Sequence, residues 1–215
     1  MTARVVIVAG GGFSEEDLAL LQPGDFLIGV DGGAVRLLEA GRVPHVAVGD
    51  FDTAGPAEQR KLEERGVHVH PLPAAKDVTD THEAVDRALK LHPREILLLG
   101  GLGGSRFDHA LANLFLLEWM DAAGVAGILQ NAHNRIRLHT GGVMTVKASP
   151  FPYVSLLALT DRAEGVTLEG FRYPLEEAVL IREVPLGVSN ELAAEEGRIR
   201  VRSGKLLVIE SRDRP

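Results

Sequence analysis

The chain has 215 residues, 45% hydrophobic and 25% charged, with 30 acidic against 23 basic side chains and a formal net charge of −7. That balance describes a folded chain of one or two domains with a sizeable core, and excludes an extended disordered segment. The acidic surplus without a Lys/Arg block argues against a nucleic-acid partner and suits a cationic small substrate. Cysteine is absent, so neither disulfide nor thiolate chemistry is available. No apolar run is long enough to span a bilayer, and Val5–Ala9 is too short for the core of a signal peptide, so the expectation is a cytoplasmic protein without membrane contact.

In chain order, Arg4–Ala9 reads as a buried strand running into Gly10–Gly12, followed by Ser14 as a helix N-cap with Glu15, Glu16 and Asp17 in the first turn. Phe26–Val30 is a second strand ending in Asp31-Gly32-Gly33, and the helix Ala34–Ala40 stops at Gly41. Val46–Val48 is a third strand. Pro56 opens a polar helix that closes at Gly66. Val67–His70 and Ile96–Leu99 are strands flanking a helix over Asp80–Leu91. Asp108–Ala123 is the longest helix, with Leu111, Leu114, Phe115 and Met120 as its expected apolar stripe, and Ala126–Gln130 closes the series.

Strands alternating with helices predict an α/β N-terminal domain, residues 1–131, with a mainly parallel sheet whose ligands sit beyond the strand carboxyl ends. Five Gly- or Asp-rich segments follow strands and would share that edge: Gly10–Gly12, Asp31–Gly33, Gly49–Thr53, Ala75–Asp80 and Gly100–Asp108. Beyond residue 131 the helical period disappears. Short runs separated by turn residues predict an all-β C-terminal sandwich over residues 132–215. Gly187–Glu191, small and polar, reads as a loop.

Asp50 and Asp52 are one residue apart, so in an extended chain both carboxylates point the same way. Converging carboxylates repel unless a cation lies between them, and Mg²⁺ prefers oxygen ligands. Asp77 and Asp80 form a second acidic pair before a helix, where capping and metal binding are both open to them. Gly100 to Gly104 with Ser105 and Arg106 leads into the longest helix. Loop amides, a helix N-terminus and a guanidinium make an anion site there, although neither a P-loop nor a dinucleotide fingerprint is present. His109 reads as structural or acid–base, Asp31 as a turn or binding residue, and Trp119 as core or subunit contact.

Taken in order, Asp31-Gly32-Gly33-Ala34, Gly49-Asp50-Phe51-Asp52-Thr53, Lys76-Asp77-Val78-Thr79-Asp80-Thr81 and Gly103-Gly104-Ser105-Arg106-Phe107-Asp108-His109 resemble the thiamine pyrophosphokinase family. Gly170–Leu175 and Gly187-Val188-Ser189-Asn190-Glu191 extend the likeness to the β region. Two departures stand out: Thr53 replaces the usual Ser, and Ser105 intervenes between the glycine pair and Arg106. The resemblance implies Mg²⁺-dependent pyrophosphate transfer from ATP to thiamine in a homodimer whose thiamine site lies between subunits. It implies Asp50, Asp52 and Asp80 as Mg²⁺ ligands, with Asp77, Arg106 and Asp108 near the phosphates or the reacting hydroxyl. Asp31, Gly32, Thr53, Gly103, Gly104 and His109 would contact the nucleotide, and Ser189 and Asn190 would line the thiamine pocket. The alternatives are another hydroxymethyl acceptor such as a pterin, or a non-catalytic nucleotide-binding regulator. A dinucleotide-dependent dehydrogenase is disfavoured, because Gly10–Gly12 lacks the required glycine spacing.

Overall fold

The computed structural model describes residues 3–51, 55–73 and 77–213, so Asp52, Thr53 and Lys76 lie outside the described residues. Its contacts divide the chain into two compact units, Met1–Ala132 and His133–Pro215.

The first unit alternates β1 (Arg4–Val8), α1 (Glu15–Leu18), β2 (Phe26–Val30), α2 (Gly32–Glu39), β3 (Val46–Gly49), α3 (Gly55–Glu64), β4 (His68–Pro71), α4 (Asp80–Leu89), β5 (Glu95–Leu99), α5 (Phe107–Ala122) and β6 (Ala126–Gln130). All six strands are parallel, in the order β6-β5-β1-β2-β3-β4. Val5 to Val8 are 0% exposed and Ile96 to Leu99 at most 4%, so the central strands are covered on both faces and their sequences are continuously apolar rather than alternating. At the edge, β4 is short and partly exposed and ends in Pro71, which limits strand addition there.

The chain builds outward from β1 to β4 and then crosses back to place β5 on the other side of β1. That reversal opens a crevice at the carboxyl ends of β1 and β5, where ligands bind in sheets of this class.

Two helices differ from the sequence-based expectation. α2 begins at Gly32, two residues early, because its first turn lies against the end of β1: a Cβ at Gly33 would stand 2.0 Å from the Val8 carbonyl oxygen. In α5, Leu111 and Phe115 are exposed, and the buried side consists of Asn113, Leu116, Leu117 and Met120. This helix is apolar almost all round, so sequence period alone could not choose its inner face. Ser14 caps α1 as expected, in a reciprocal capping box with Asp17.

The second unit is an antiparallel sandwich. One face is β12 (Gly187–Glu191), β9 (Tyr153–Ala158), β14 (Leu206–Ser211) and β7 (Asn134–His139). The other is β11 (Leu175–Ile181), β10 (Arg162–Glu169), β13 (Glu196–Val201) and β8 (Gly142–Lys147). Leu156 and Val208 from the first sheet meet Val166, Leu180 and Ile199 from the second in one core. Gly187–Glu191 is a strand, not the expected loop. Pairing with β9 holds it there despite its polar composition, with an irregular register between Gly187 and Asn190 and Ser189 at φ +60°.

Glu210 on β14 is fully buried and receives hydrogen bonds from Arg135 and Arg137 on β7; Nε of Arg135 and the Arg137 guanidinium each lie 2.8 Å from Oε2. A single carboxylate thus holds two partly buried cations. Glu210→Ala is expected to lower the unfolding free energy by about 3 kcal/mol in urea denaturation. A loss under about 1 kcal/mol would show that solvent alone satisfies the two arginines.

Candidate active site

The crevice is walled by two glycine loops in direct backbone contact. The Gly11 N–H donates to the Gly100 carbonyl at 3.0 Å, and a Cβ at Gly11 would stand 2.2 Å from that oxygen. Gly100 adopts φ +66°, and a Cβ there would meet the Ala9 carbonyl at 2.3 Å. No other residue type fits at either position without moving backbone. Between the loops lies a cleft of about 390 Å³, lined by Gly10, Gly11, Asp31, Asp80, Gly103, Gly104, Arg106, His109 and Asn113, among others.

Asp31, after β2, has φ +47°, a conformation few non-glycine residues adopt. Its N–H donates to the Val48 carbonyl at 2.9 Å, tying it to β3. A Cβ on Gly49 would stand 1.8 Å from Asp31 Oδ1, so the carboxylate lies over Gly49, immediately before Asp50. Phe51, also at positive φ, is buried with Ala34, Ala47 and Leu62, which anchors the segment and leaves Asp50 half-buried beside it. Asp80 is the first residue of α4, behind Thr79, whose hydroxyl caps the helix by accepting from the His82 N–H at 3.1 Å. Capping therefore falls to Thr79, and Asp80 faces the cleft.

On the opposite wall, Arg106 is the N-cap residue of α5, and His109 and Asn113 follow on the same side. Arg106 donates to Asp108 through Nε at 3.0 Å and through the guanidinium at 2.5 Å. That hydrogen bond, helped by the His109 N–H, holds the Asp108 carboxyl at about 2, below its ordinary 3.8.

The structure thus brings Asp31, Asp80, Gly103, Gly104, Arg106 and His109 to one cleft, with Asp50 next to Asp31. Gly32 supplies the first helical residue beside Asp31. Asp77 is exposed and lines a neighbouring apolar hollow with Val78, Phe115 and Trp119, the last stacked on His82 at 4.4 Å. Two residues that hold the glycine loops carry no motif signal: Arg36, which donates to the Gly11 carbonyl from outside the cleft lining, and Asn113, which lines the cleft. The clue to Asn113 is a polar residue one turn beyond His109, within the otherwise apolar run of residues 110–117.

Comparison with known proteins finds likeness along nearly the whole chain. The family profile described as "Thiamin pyrophosphokinase, catalytic domain" matches residues 18–127, and "Thiamin pyrophosphokinase, vitamin B1 binding domain" matches residues 143–206. The thiamine pyrophosphokinase of Bacillus subtilis is 35% identical over 187 residues, 86% of this chain and 87% of its own. The chain belongs to the thiamine pyrophosphokinase family. A crystal structure of the Bacillus subtilis enzyme superposes with a TM-score of 0.91 at 33% identity, covering 98% of this chain and 100% of the other. That of Geobacillus thermodenitrificans gives 0.86 at 34% identity, covering 98% of each.

In the region matched to the B1-binding domain, Ser189 and Asn190 sit on β12. The Ser189 N–H donates to the Ser155 hydroxyl at 3.0 Å. Asn190 accepts from the Tyr173 N–H at 3.0 Å and donates to the Tyr173 carbonyl at 2.8 Å. Asn190 also borders a hollow with Tyr173, Leu186 and Val188.

The Asp108 value lies below its ordinary one, so whatever stability the pair contributes is present above about pH 4 and fades as pH falls through about 2. In an NMR titration of the carboxyl carbons, Asp108 is expected to titrate near 2, and Arg106→Gln should return it toward 3.8. An unchanged midpoint would show that the guanidinium is not its cause.

Proposed function

We propose that the cleft binds ATP with Mg²⁺ and that the chain transfers the pyrophosphoryl group to the hydroxyethyl oxygen of thiamine, releasing AMP. The observation that carries this is one cleft at the sheet's reversal point with carboxylates on one wall and, on the other, glycine loops and a helix start with Arg106 at the N-cap position. A triphosphate needs both. The match to the vitamin B1-binding domain favours thiamine over a pterin acceptor.

Among the described residues, no three acidic or histidine side chains form a ready-made metal cage. Mg²⁺ does not need one, since one or two carboxylates, substrate phosphates and waters usually complete its shell. Asp50, Asp80 and, outside the described residues, Asp52 are the proposed ligands, and all offer hard oxygen donors. Bound there, the ion supplies charge neutralisation for the departing AMP.

The hydroxyethyl oxygen attacks the β-phosphorus in line. The new O–P bond forms as the bond from that phosphorus to the α,β-bridging oxygen breaks, and the hydroxyl proton leaves to water. Gly103, Gly104 and Arg106 face charge on the transferred group. Asp108, ionised at neutral pH and with a pKa near 2, is too weak a base to drive deprotonation and serves to orient the hydroxyl. Asp77 lies at the rim near the phosphates; Asp31, Gly32, Thr53 and His109 complete the nucleotide side, and Ser189 and Asn190 the thiamine side. We place the enzyme in the cytoplasm, as a homodimer whose second copy covers the exposed Tyr173, Leu186 and Val188.

Incubation with ATP, Mg²⁺ and thiamine should yield thiamine diphosphate and AMP in equal amounts. Asp80→Asn is expected to reduce AMP release at least about a hundredfold while the circular dichroism spectrum and melting temperature are retained. Turnover like that of the unmodified protein, with ordinary magnesium dependence, would refute Asp80 as a ligand.

A further inference from the structure

Asn113 stands on α5 within the cleft wall and is only 7% exposed, a polar side chain in a helix otherwise buried through Leu116, Leu117 and Met120. Its Nδ2 donates to the Gly101 carbonyl at 3.0 Å. Gly101 is closely packed: a Cβ there would meet Leu129 at 2.8 Å and Leu98 at 3.1 Å. The neighbouring carbonyls are held as well: Gly100 by the Gly11 N–H at 3.0 Å, and Gly11 by the Arg36 guanidinium. Three donors therefore take up three carbonyl oxygens of the two glycine loops, those of Gly11, Gly100 and Gly101.

The consequence is electrostatic. In a flexible glycine loop, a peptide plane left to rotate can present either its carbonyl or its N–H to a ligand, and a carbonyl dipole aimed at a phosphate repels it. A carbonyl engaged with a protein donor has its plane fixed, and in a trans peptide the following N–H points the opposite way. Removing the Asn113 amide would leave a buried Gly101 oxygen unpaired, and its nearest escape is rotation toward solvent in the cleft.

We propose that Asn113 is a positioning residue for the nucleotide: it acts through the Gly101 peptide to keep the Gly100–Gly104 loop in an anion-accepting conformation. The inference rests on the proposal that this cleft holds ATP, and it concerns the nucleotide half of the site alone.

Asn113→Asp preserves shape while replacing the donor with a group that accepts only, and Asn113→Leu removes polarity at similar volume. ATP binding by calorimetry, KM for ATP and for thiamine, kcat and the melting temperature are measured for each. Both variants are expected to weaken ATP binding and raise its KM by about tenfold, with the KM for thiamine changed less than about twofold. Asn113→Ser, which keeps a short donor, should recover part of the ATP affinity. ATP affinity equal to that of the unmodified protein in both variants would overturn the proposal. So would a parallel loss for ATP and thiamine that tracks a lowered melting temperature, which would mark Asn113 as merely structural. Failure of the unmodified protein to bind ATP would overturn the nucleotide reading and this proposal together, whereas intact ATP binding with unaffected variants defeats this proposal alone.

Discussion

The contact on which the N-terminal unit turns is backbone against backbone: the Gly11 N–H on the Gly100 carbonyl, at a place where a methyl group would stand 2.2 Å from oxygen. It lies just past the paired ends of β1 and β5, where the sheet reverses its direction of growth. Each glycine costs the folded chain roughly 0.5–1 kcal/mol relative to alanine in a regular element. The buried side chains of β1 and β5 offset this easily, at about 1.5–3 kcal/mol each for Val, Ile and Leu. A rigid apolar sheet thus supports two loops too close-set for side chains, and what such loops can present to a ligand is peptide dipoles.

Around that contact the charges are segregated. Asp31 and Asp80 reach the cleft from the ends of β2 and the start of α4, while Arg106 reaches it from the start of α5. Asp31 sits over Gly49 in a strained backbone conformation, a state costing about 1–3 kcal/mol that persists only when its surroundings hold it. Its N–H bond to Val48 and the burial of Phe51 two residues beyond Gly49 provide that hold.

The fold class was legible because its signals are local and repeated: continuous apolar strands, capped helices, then short runs with turn residues. Ser14 shows how far pattern reaches, since it reads as a helix N-cap and caps α1. Pattern failed where tertiary contact decides. The inner face of α5 is set by what β6 and α4 present, not by its own period, so Leu111 and Phe115 emerge outside and Asn113 inside. Gly187–Glu191 is a strand because β9 offers it hydrogen bonds. Arg36 and Asn113 carry no motif signal for a related reason: they act on the glycine-loop carbonyls, and no motif spacing records a bond across 12 or 25 positions.

The β12 segment raises a different question, how Asn190 serves a pocket when its amide is already engaged. Both ends of the Asn190 amide are used on the Tyr173 backbone, and the Ser189 N–H is used on Ser155. Asn190 therefore has little left to offer a ligand directly; its work is to fix the chain at Tyr173. That residue is 57% exposed, with the Arg172 guanidinium 5.6 Å from its ring centre. A ring held at its backbone while its face stays open suits stacking on a flat heterocycle at low entropic cost. In the proposed thiamine site, Asn190 thus acts by shaping, pinning Tyr173 beside Leu186 and Val188.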